Sequence, residues 1–173
     1  MTAELEIRTA NAGDIAVISA IGHESFRKAY EESSQPDDLV AHLESFFSVA
    51  AIRGEMQLPG HTYLLALHGG VAAGFVKIRE SARPDDIPAS RALELQQLYV
   101  LPDQQRFGIG GRLIEAAARD AEEKAADGIW LSVWEEAAWA VSCYRKNGFE
   151  VVGTTRFQLG TSVYSDLLMW RPV

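Results

Sequence analysis

The sequence predicts an α/β (α+β) domain with a mixed central β-sheet and helices on both faces. Three observations predict it. Segments of helical and strand periodicity alternate along the chain. Two short apolar runs flank Gly69-Gly70, the signal of a tight hairpin. A third apolar run ends at Pro102 and passes through a glycine-rich loop into an amphipathic helix. With 173 residues the chain can bury one sizeable core and is too short for two comfortable domains, so residues 1–173 are expected to form a single domain.

The elements follow in order. Leu5 to Arg8 is a short strand. In "NAGDIAVISAIGHESFRKAYEE", Ile15, Ile18, Ile21, Ser25 and Phe26 share a helical face, and Asp14 suits the first turn of a helix, where backbone N–H groups are unpaired. "SSQPDDLVAHLESFF" starts a second helix with serine, proline and two acids, and carries Leu39, Val40, Leu43, Phe46 and Phe47 as its apolar residues. "HTYLLALHGGVAAGFVKI" is the hairpin, and "ESARPDDIPAS" is a polar, proline-bearing loop. "RALELQQLYVL" alternates and then turns apolar, as a central strand would. The helix after the glycines buries Leu113, Ile114, Ala117, Ala118 and Ala121. "GIWLSVW" is a strand, "AAWAVSCYRKNG" a helix closed by Asn147-Gly148, and "FEVVGT" and "VYSDLLMW" are the last strands.

Composition excludes several function classes. A net charge of −8 argues against a general nucleic-acid binder, which needs surplus Lys and Arg for phosphates. No apolar run approaches the roughly 18 residues of a membrane span. The start, "MTAELEIRTA", is acidic and polar where a secretory leader is basic and then apolar, and the single cysteine suits a reducing compartment, so a cytoplasmic location is expected. His23, His42, His61 and His68 show no ligand spacing, and no metal is expected. Cys143 lacks the companions of a nucleophile and reads as a small packed residue.

The loop Gln105-Arg106-Phe107-Gly108-Ile109-Gly110-Gly111 carries the chemistry. A helix that begins among glycines presents unpaired N–H groups and the positive end of its dipole to whatever lies in front. Without a Cβ at Gly108 and Gly110 a bulky anion can approach the backbone, and Arg106 and Arg112 add positive charge. A pyrophosphate cradle and a glycine-softened strand-to-helix turn both fit these residues. No Gly-Lys-Ser/Thr follows, which disfavours P-loop chemistry, and the third glycine of a dinucleotide fingerprint is missing.

Taken with its flanks, the loop resembles the Q/R-x-x-G-x-G/A signature of the GNAT superfamily, the acetyl-CoA-dependent N-acetyltransferases. "ELQQLYVLPDQ" is similar to their fourth strand. "IWLSVWEEAAWAVSCYRKNGFEVVGT" is similar to their fifth strand, the next helix and the Y-x-K-x-G-F ending. "WLSVWE", "YRKNGFEVVGT" and "SDLLM" further resemble the PaiA-type spermidine/spermine acetyltransferases within that superfamily. The resemblance implies a sheet splayed between its fourth and fifth strands and acetyl-CoA as co-substrate. It implies that Gln105, Arg106, Phe107, Gly108, Ile109, Gly110 and Gly111 hold the coenzyme's pyrophosphate. Leu98, Tyr99 and Val100 would face its pantetheine arm and acetyl carbonyl, with Lys146 as a further coenzyme contact. A backbone N–H at Val100 would stabilise the developing oxyanion. Tyr144 would protonate the departing thiolate, a phenol being a plausible acid for a thiol leaving group. Where the superfamily often has asparagine this chain has Ala137, which removes one polar coenzyme contact. Trp139, in the same turn, is open between a packed residue and a wall of the acceptor cleft.

The acceptor amine must lose a proton, which costs about 4–5 kcal/mol for an alkylammonium at pH 7. Glu94, on the strand leading to Tyr99, is the candidate base, and Glu135 is a second. The stretches that build acceptor sites in the superfamily here carry Glu31, Glu32, Asp37, Asp38, Asp85 and Asp86. Such a rim favours a polycationic amine and equally suits plain solubility. A protein N-terminus or lysine, an aminoglycoside-like amine, and a non-catalytic coenzyme-binding module are the alternatives. A homodimer is an expectation by analogy alone.

Overall fold

Leu5–Thr9 forms β1 at one edge of a seven-stranded sheet ordered β1-β2-β3-β4-β5-β7-β6 in the computed structural model, which describes residues 3–173. The other strands are β2 (His61–His68), β3 (Val71–Arg79), β4 (Ala92–Val100), β5 (Gly128–Trp134), β6 (Glu150–Leu159) and β7 (Ser162–Pro172). The helices are α1 (Ile15–Tyr30), α2 (Pro36–Phe47), α3 (Val49–Met56), α4 (Ile109–Glu123) and α5 (Ala138–Lys146). Every strand pair is antiparallel except β4 with β5. Those two pair only from Ala92 opposite Gly128 to Glu94 opposite Trp130. Beyond Glu94 and Trp130 they splay apart, which leaves a gap in the middle of the sheet.

The two faces are covered by different helices. Leu113, Ile114, Ala117 and Ala121 of α4 pack on Val76, Ile78, Leu93 and Leu95, and Val141 and Tyr144 of α5 lie against the same cluster. The opposite face carries α1 and α3 through Ile15, Ile18, Ile21 and Ile52 on Leu65 and Phe75. There α1 and α2 also pack through Phe26, Leu39, Leu43 and Phe47 against Leu159 and Tyr164. The alanine run of α4 lets that helix sit close on the sheet at little side-chain entropy cost.

Local chemistry sets the ends. Asn11 and Asp14 cap the turn before α1 reciprocally, and Asp14 is gripped by both terminal nitrogens of Arg8 at 2.8 and 2.9 Å. The sequence leaves residues 48–60 unassigned. The structure places α3 there, capped by Ser48, whose hydroxyl accepts from the Ala51 N–H at 3.2 Å. Val40 and Phe46, expected on the apolar face of α2, are exposed, because α2 packs along the single ridge Leu39, Leu43, Phe47. The last two strands form a longer ribbon than "FEVVGT" and "VYSDLLMW" suggest, since mutual pairing carries polar residues into the ladder.

A buried polar cluster underlies α3. The Lys77 ammonium, fully buried, pairs with Glu55, which also accepts from the Tyr63 hydroxyl at 2.8 Å. Burial pulls the Lys77 pKa down, and the Glu55 carboxylate opposes that shift. Beside it Glu94 is paired with Arg79 at 2.6 Å.

Candidate active site

The end of β4, the glycine loop and α5 meet at the gap between β4 and β5. After Leu101 the chain makes a 3-10 turn over Pro102–Phe107, and Gly108 then adopts φ of +72°, a left-handed conformation that L side chains rarely adopt. That reversal starts α4 at Ile109. The first full helical bond runs from the Arg112 N–H to the Gly108 carbonyl at 3.2 Å. The N–H groups of Ile109, Gly110 and Gly111 precede it and have no acceptor four residues back within the helix. Gln105 donates from its side-chain amide to the Val100 carbonyl at 3.2 Å, fixing the loop to the strand end. Arg106, Phe107 and Gly108 are exposed.

Gly110 distinguishes a cradle from a mere turn. Its backbone is ordinary helix, and a Cβ there would approach only Cys143 Sγ and Val100 Cγ2, each at 4.0 Å. The protein's own packing therefore does not demand glycine, although glycine costs a helix about 1 kcal/mol against alanine. Space in front of unpaired N–H groups is what an approaching diphosphate requires, so the residues present fit the coenzyme.

Tyr144 stands on α5 behind this loop. Its ring packs edge-on to Phe149 at 5.5 Å and belongs to the α4-side cluster that includes Leu98 and Val100. Burial holds its pKa well above the usual phenol value, with Cys143 adding to the rise, so the hydroxyl keeps its proton. Tyr99 is held up in the same way by burial, then by Tyr30 and Tyr144. Cys143 is itself pushed up by burial, which suits a packed thiol. Lys146 ends α5, exposed. Ala137 occupies the N-cap of α5 and offers no side-chain bond. Trp139, 72% exposed, is not a core residue.

On the α1–α2 side of the same gap the structure adds residues that sequence reasoning missed. Trp134 and Asp166 face each other across β5 and β7. Tyr30, Trp134 and Tyr164 form a mutual aromatic group with centroids 5.2–5.8 Å apart. Asp166 is 5% exposed, and its Oδ1 has no hydrogen-bond partner among the described residues. Burial raises its pKa to about 6, with the Ser132 hydroxyl pulling down and Glu135 pushing up. The signal was present in the sequence: a lone acid in the alternation of "VYSDLLMW" shares a face with Tyr164 and Leu168.

Glu94 is on β4 at the level of Trp130, where β4 and β5 still pair, and its carboxylate holds Arg79. Val100 is six positions farther along, about 20 Å of strand. Tyr144 and the loop are brought together; Glu94 is set apart from them. Glu135 follows β5 and is exposed. Among the acids of the rim, Asp38 accepts from the Thr161 N–H and hydroxyl, and Asp86 lies beside Gly153. Among the described residues no group of three or more His, Cys, Asp or Glu could hold a metal ion, and no helix is long and apolar enough to cross a membrane.

Comparison with known proteins completes this picture. The profile of the acetyltransferase (GNAT) family matches residues 21–149. An uncharacterized N-acetyltransferase from the pepI 3′ region of Lactobacillus delbrueckii subsp. lactis is 26% identical over 156 residues, 90% of each chain. The PaiA N-acetyltransferase of Thermoplasma acidophilum, solved with coenzyme A, superposes with a TM-score of 0.78 at 21% identity, covering 98% of this chain and 99% of that one. The ribosomal-protein-S18-alanine N-acetyltransferase of Escherichia coli superposes at 0.69 with 19% identity, over 98% and 94% of the two chains. The parallel, splayed β4–β5 pair and the glycine cradle are the features such a fold requires. This chain belongs to the acetyltransferase (GNAT) family, the N-acetyltransferases whose acetyl donor is acetyl-CoA.

Proposed function

We propose that this N-acetyltransferase acetylates a primary amine of a small polyamine such as spermidine or spermine. The cradle from Gln105 to Gly111 would hold the coenzyme's pyrophosphate, with Arg106 and Lys146 adding positive charge. Leu98, Tyr99 and Val100 would line its arm, and the Val100 N–H would meet the oxyanion formed on attack. Tyr144, protonated at any working pH, would give its proton to the departing thiolate. The sequence offers Glu94 and Glu135 for the amine's proton; Glu94, paired with Arg79 and about 20 Å of strand from Val100, would reach the amine only through water, whereas Asp166 lies opposite Trp134 at the gap itself. The reaction suits a reducing, cytoplasmic setting.

The observation that supports a polycation is the spread of acids along the β6–β7 ribbon. Asp86 abuts Gly153 near one end of β6, and Asp38 binds Thr161 at the turn beyond the other. Those positions are separated by about 20–25 Å of strand, so acids stand toward both ends of the ribbon and would raise the local concentration of a cationic amine. Glu31, Glu32, Asp37 and Asp85 are exposed as well. Each exposed contact is worth about 0.2–1 kcal/mol, so preference would come from several acting together.

The test is acetyl-CoA-dependent thiol release with spermidine, spermine, n-butylamine and a short peptide with a free N-terminal alanine. The peptide is included because the E. coli neighbour acts on a ribosomal-protein alanine. The expected result is a higher kcat/KM for the polyamines, with the gap narrowing as salt rises. Equal values for n-butylamine and spermidine, or a preference for the peptide, overturns the polyamine reading.

A further inference from the structure

Among the described residues four charged ones are buried, and three have a partner: Asp14 with Arg8, Lys77 with Glu55, and Glu94 with Arg79. Asp166 alone has no cation beside it among the described residues, and its Oδ1 is buried without any hydrogen bond. Burying an unpaired carboxylate is costly, and folds tolerate it where a ligand completes the pairing. What surrounds Asp166 indicates the ligand's charge. Trp134 lies directly opposite it, and Tyr164 stands two residues along the same face of β7. Tyr30 of α1 stacks on Trp134 at 5.8 Å and meets Tyr164 edge-on at 5.2 Å. Phe157 closes the group, 5.8 Å from Tyr30 and 6.1 Å from Tyr164. Aromatic faces beside a carboxylate form a receptor for an alkylammonium ion, attracted by ring quadrupoles and by the negative charge together.

The location suits the reaction. The β4–β5 pairing stops at Glu94 and Trp130. Four residues farther on, Trp134 stands level with Leu98, across the gap from the strand end that leads into the cradle. Tyr144 packs on the opposite face of the sheet.

We propose that Asp166, with Tyr30, Trp134 and Tyr164, forms the pocket that receives the acceptor's ammonium group, and that its carboxylate takes the proton from that ammonium. The proposal rests on amine acylation at this site and not on which amine is used. The ammonium gives one proton to the Asp166 carboxylate. The freed nitrogen lone pair forms the C–N bond to the thioester carbonyl carbon. Collapse breaks the C–S bond, the thiolate takes the Tyr144 proton, and the acylated nitrogen's surplus proton restores Tyr144. Asp166 releases its proton to water as product leaves, so one proton is freed per turnover. A carboxyl raised from 3.8 to about 6 is roughly a hundredfold stronger base than an ordinary aspartate. The titratable groups around it are Tyr30 on α1, Tyr164 on β7 and Glu135 after β5, and Glu135 pushes the Asp166 pKa up.

Two measurements test this. The coenzyme A complex is titrated with n-propylammonium chloride at pH 8, following the Trp134 indole N–H by NMR, with Trp134→Phe identifying the signal. A saturable shift is expected, weakened at least tenfold in Asp166→Asn and in Tyr30→Leu. Kinetics then use the best amine of the panel above. Wild-type kcat/KM should fall below an acid limb near pH 6, and Asp166→Asn should lower kcat/KM by about 10²–10³ and remove that limb. Asp166→Glu should recover part of the loss. Asp166→Asn should also raise Tm at pH 8, since it removes an unpaired buried charge. An indole signal that does not respond, a variant within threefold of wild type that keeps its acid limb, or a lowered Tm overturns the proposal. If instead all these effects appear and spermidine shows no preference over n-butylamine, the pocket stands and the polyamine reading falls.

Discussion

The Asp38 carboxylate accepts two hydrogen bonds from Thr161, 2.9 Å from its backbone N–H and 2.8 Å from its hydroxyl, and thereby ties α2 to the turn between β6 and β7. An acid that reads in the sequence as part of a polycation-binding rim is thus also tied into the fold, through its Oδ2 alone. Thr161 holds the Asp38 pKa below the ordinary carboxylate value. A depressed pKa means that the contact stabilises the protein above the unfolded-state value, near pH 4, and that this is lost as pH falls through the folded-state value. Asp38→Ala should therefore lower Tm at pH 7, and the deficit should shrink below pH 4. It should raise the acceptor KM and leave coenzyme affinity unchanged; thermal scans across pH and calorimetry check both.

Gly110→Val separates the cradle from a structural turn. The 4.0 Å clearance to Cys143 Sγ and Val100 Cγ2 leaves room for a side chain in the free protein. The variant should fold, with Tm changed by no more than a few degrees, and bind acetyl-CoA at least tenfold more weakly by calorimetry. Unchanged affinity in the folded variant would remove the pyrophosphate from this loop.

Tyr144→Phe keeps the edge-on packing against Phe149 and deletes only the hydroxyl. If Tyr144 supplies the leaving-group proton, kcat should fall by about 10²–10⁴ with coenzyme affinity retained. A loss under threefold would make the residue a packing aromatic only.

Ala137 leaves the N-terminus of α5 without a side-chain cap, although its carbonyl accepts from Ala140 and Val141 at 2.9 and 3.0 Å. Ala137→Asn should stabilise the protein by about 1 kcal/mol through a new N-cap. If the position also meets the coenzyme arm, affinity for acetyl-CoA should rise; stability gained with affinity unchanged would confine the effect to the helix.

Local pattern carried much of this protein. The alternation of elements, the Gly69-Gly70 hairpin, the cradle and the α4 stripe are legible because each depends on residues near in sequence, through backbone geometry and helical or strand period. The cradle and Tyr144 are named by such motifs, although two distant segments bring them together. The third helix was not legible, because "VAAIRGEM" has a weak pattern that one serine cap and packing on β2 convert into helix. Which acids are spent on the fold was not legible either. Asp38 meets Thr161 and Glu94 meets Arg79 only after distant segments come together.

The sequence by itself determined the fold class, the family and the position of the glycine loop, since these rest on spacing and on backbone conformations open to glycine. Tertiary structure decided the surroundings of each carboxylate. Asp166 lies more than 130 residues from Tyr30 along the chain, yet the β5–β7 ladder and the seat of α1 bring both beside Trp134. A carboxylate's pKa and partners follow from such long-range neighbours, through desolvation and pairing, and no local pattern encodes them.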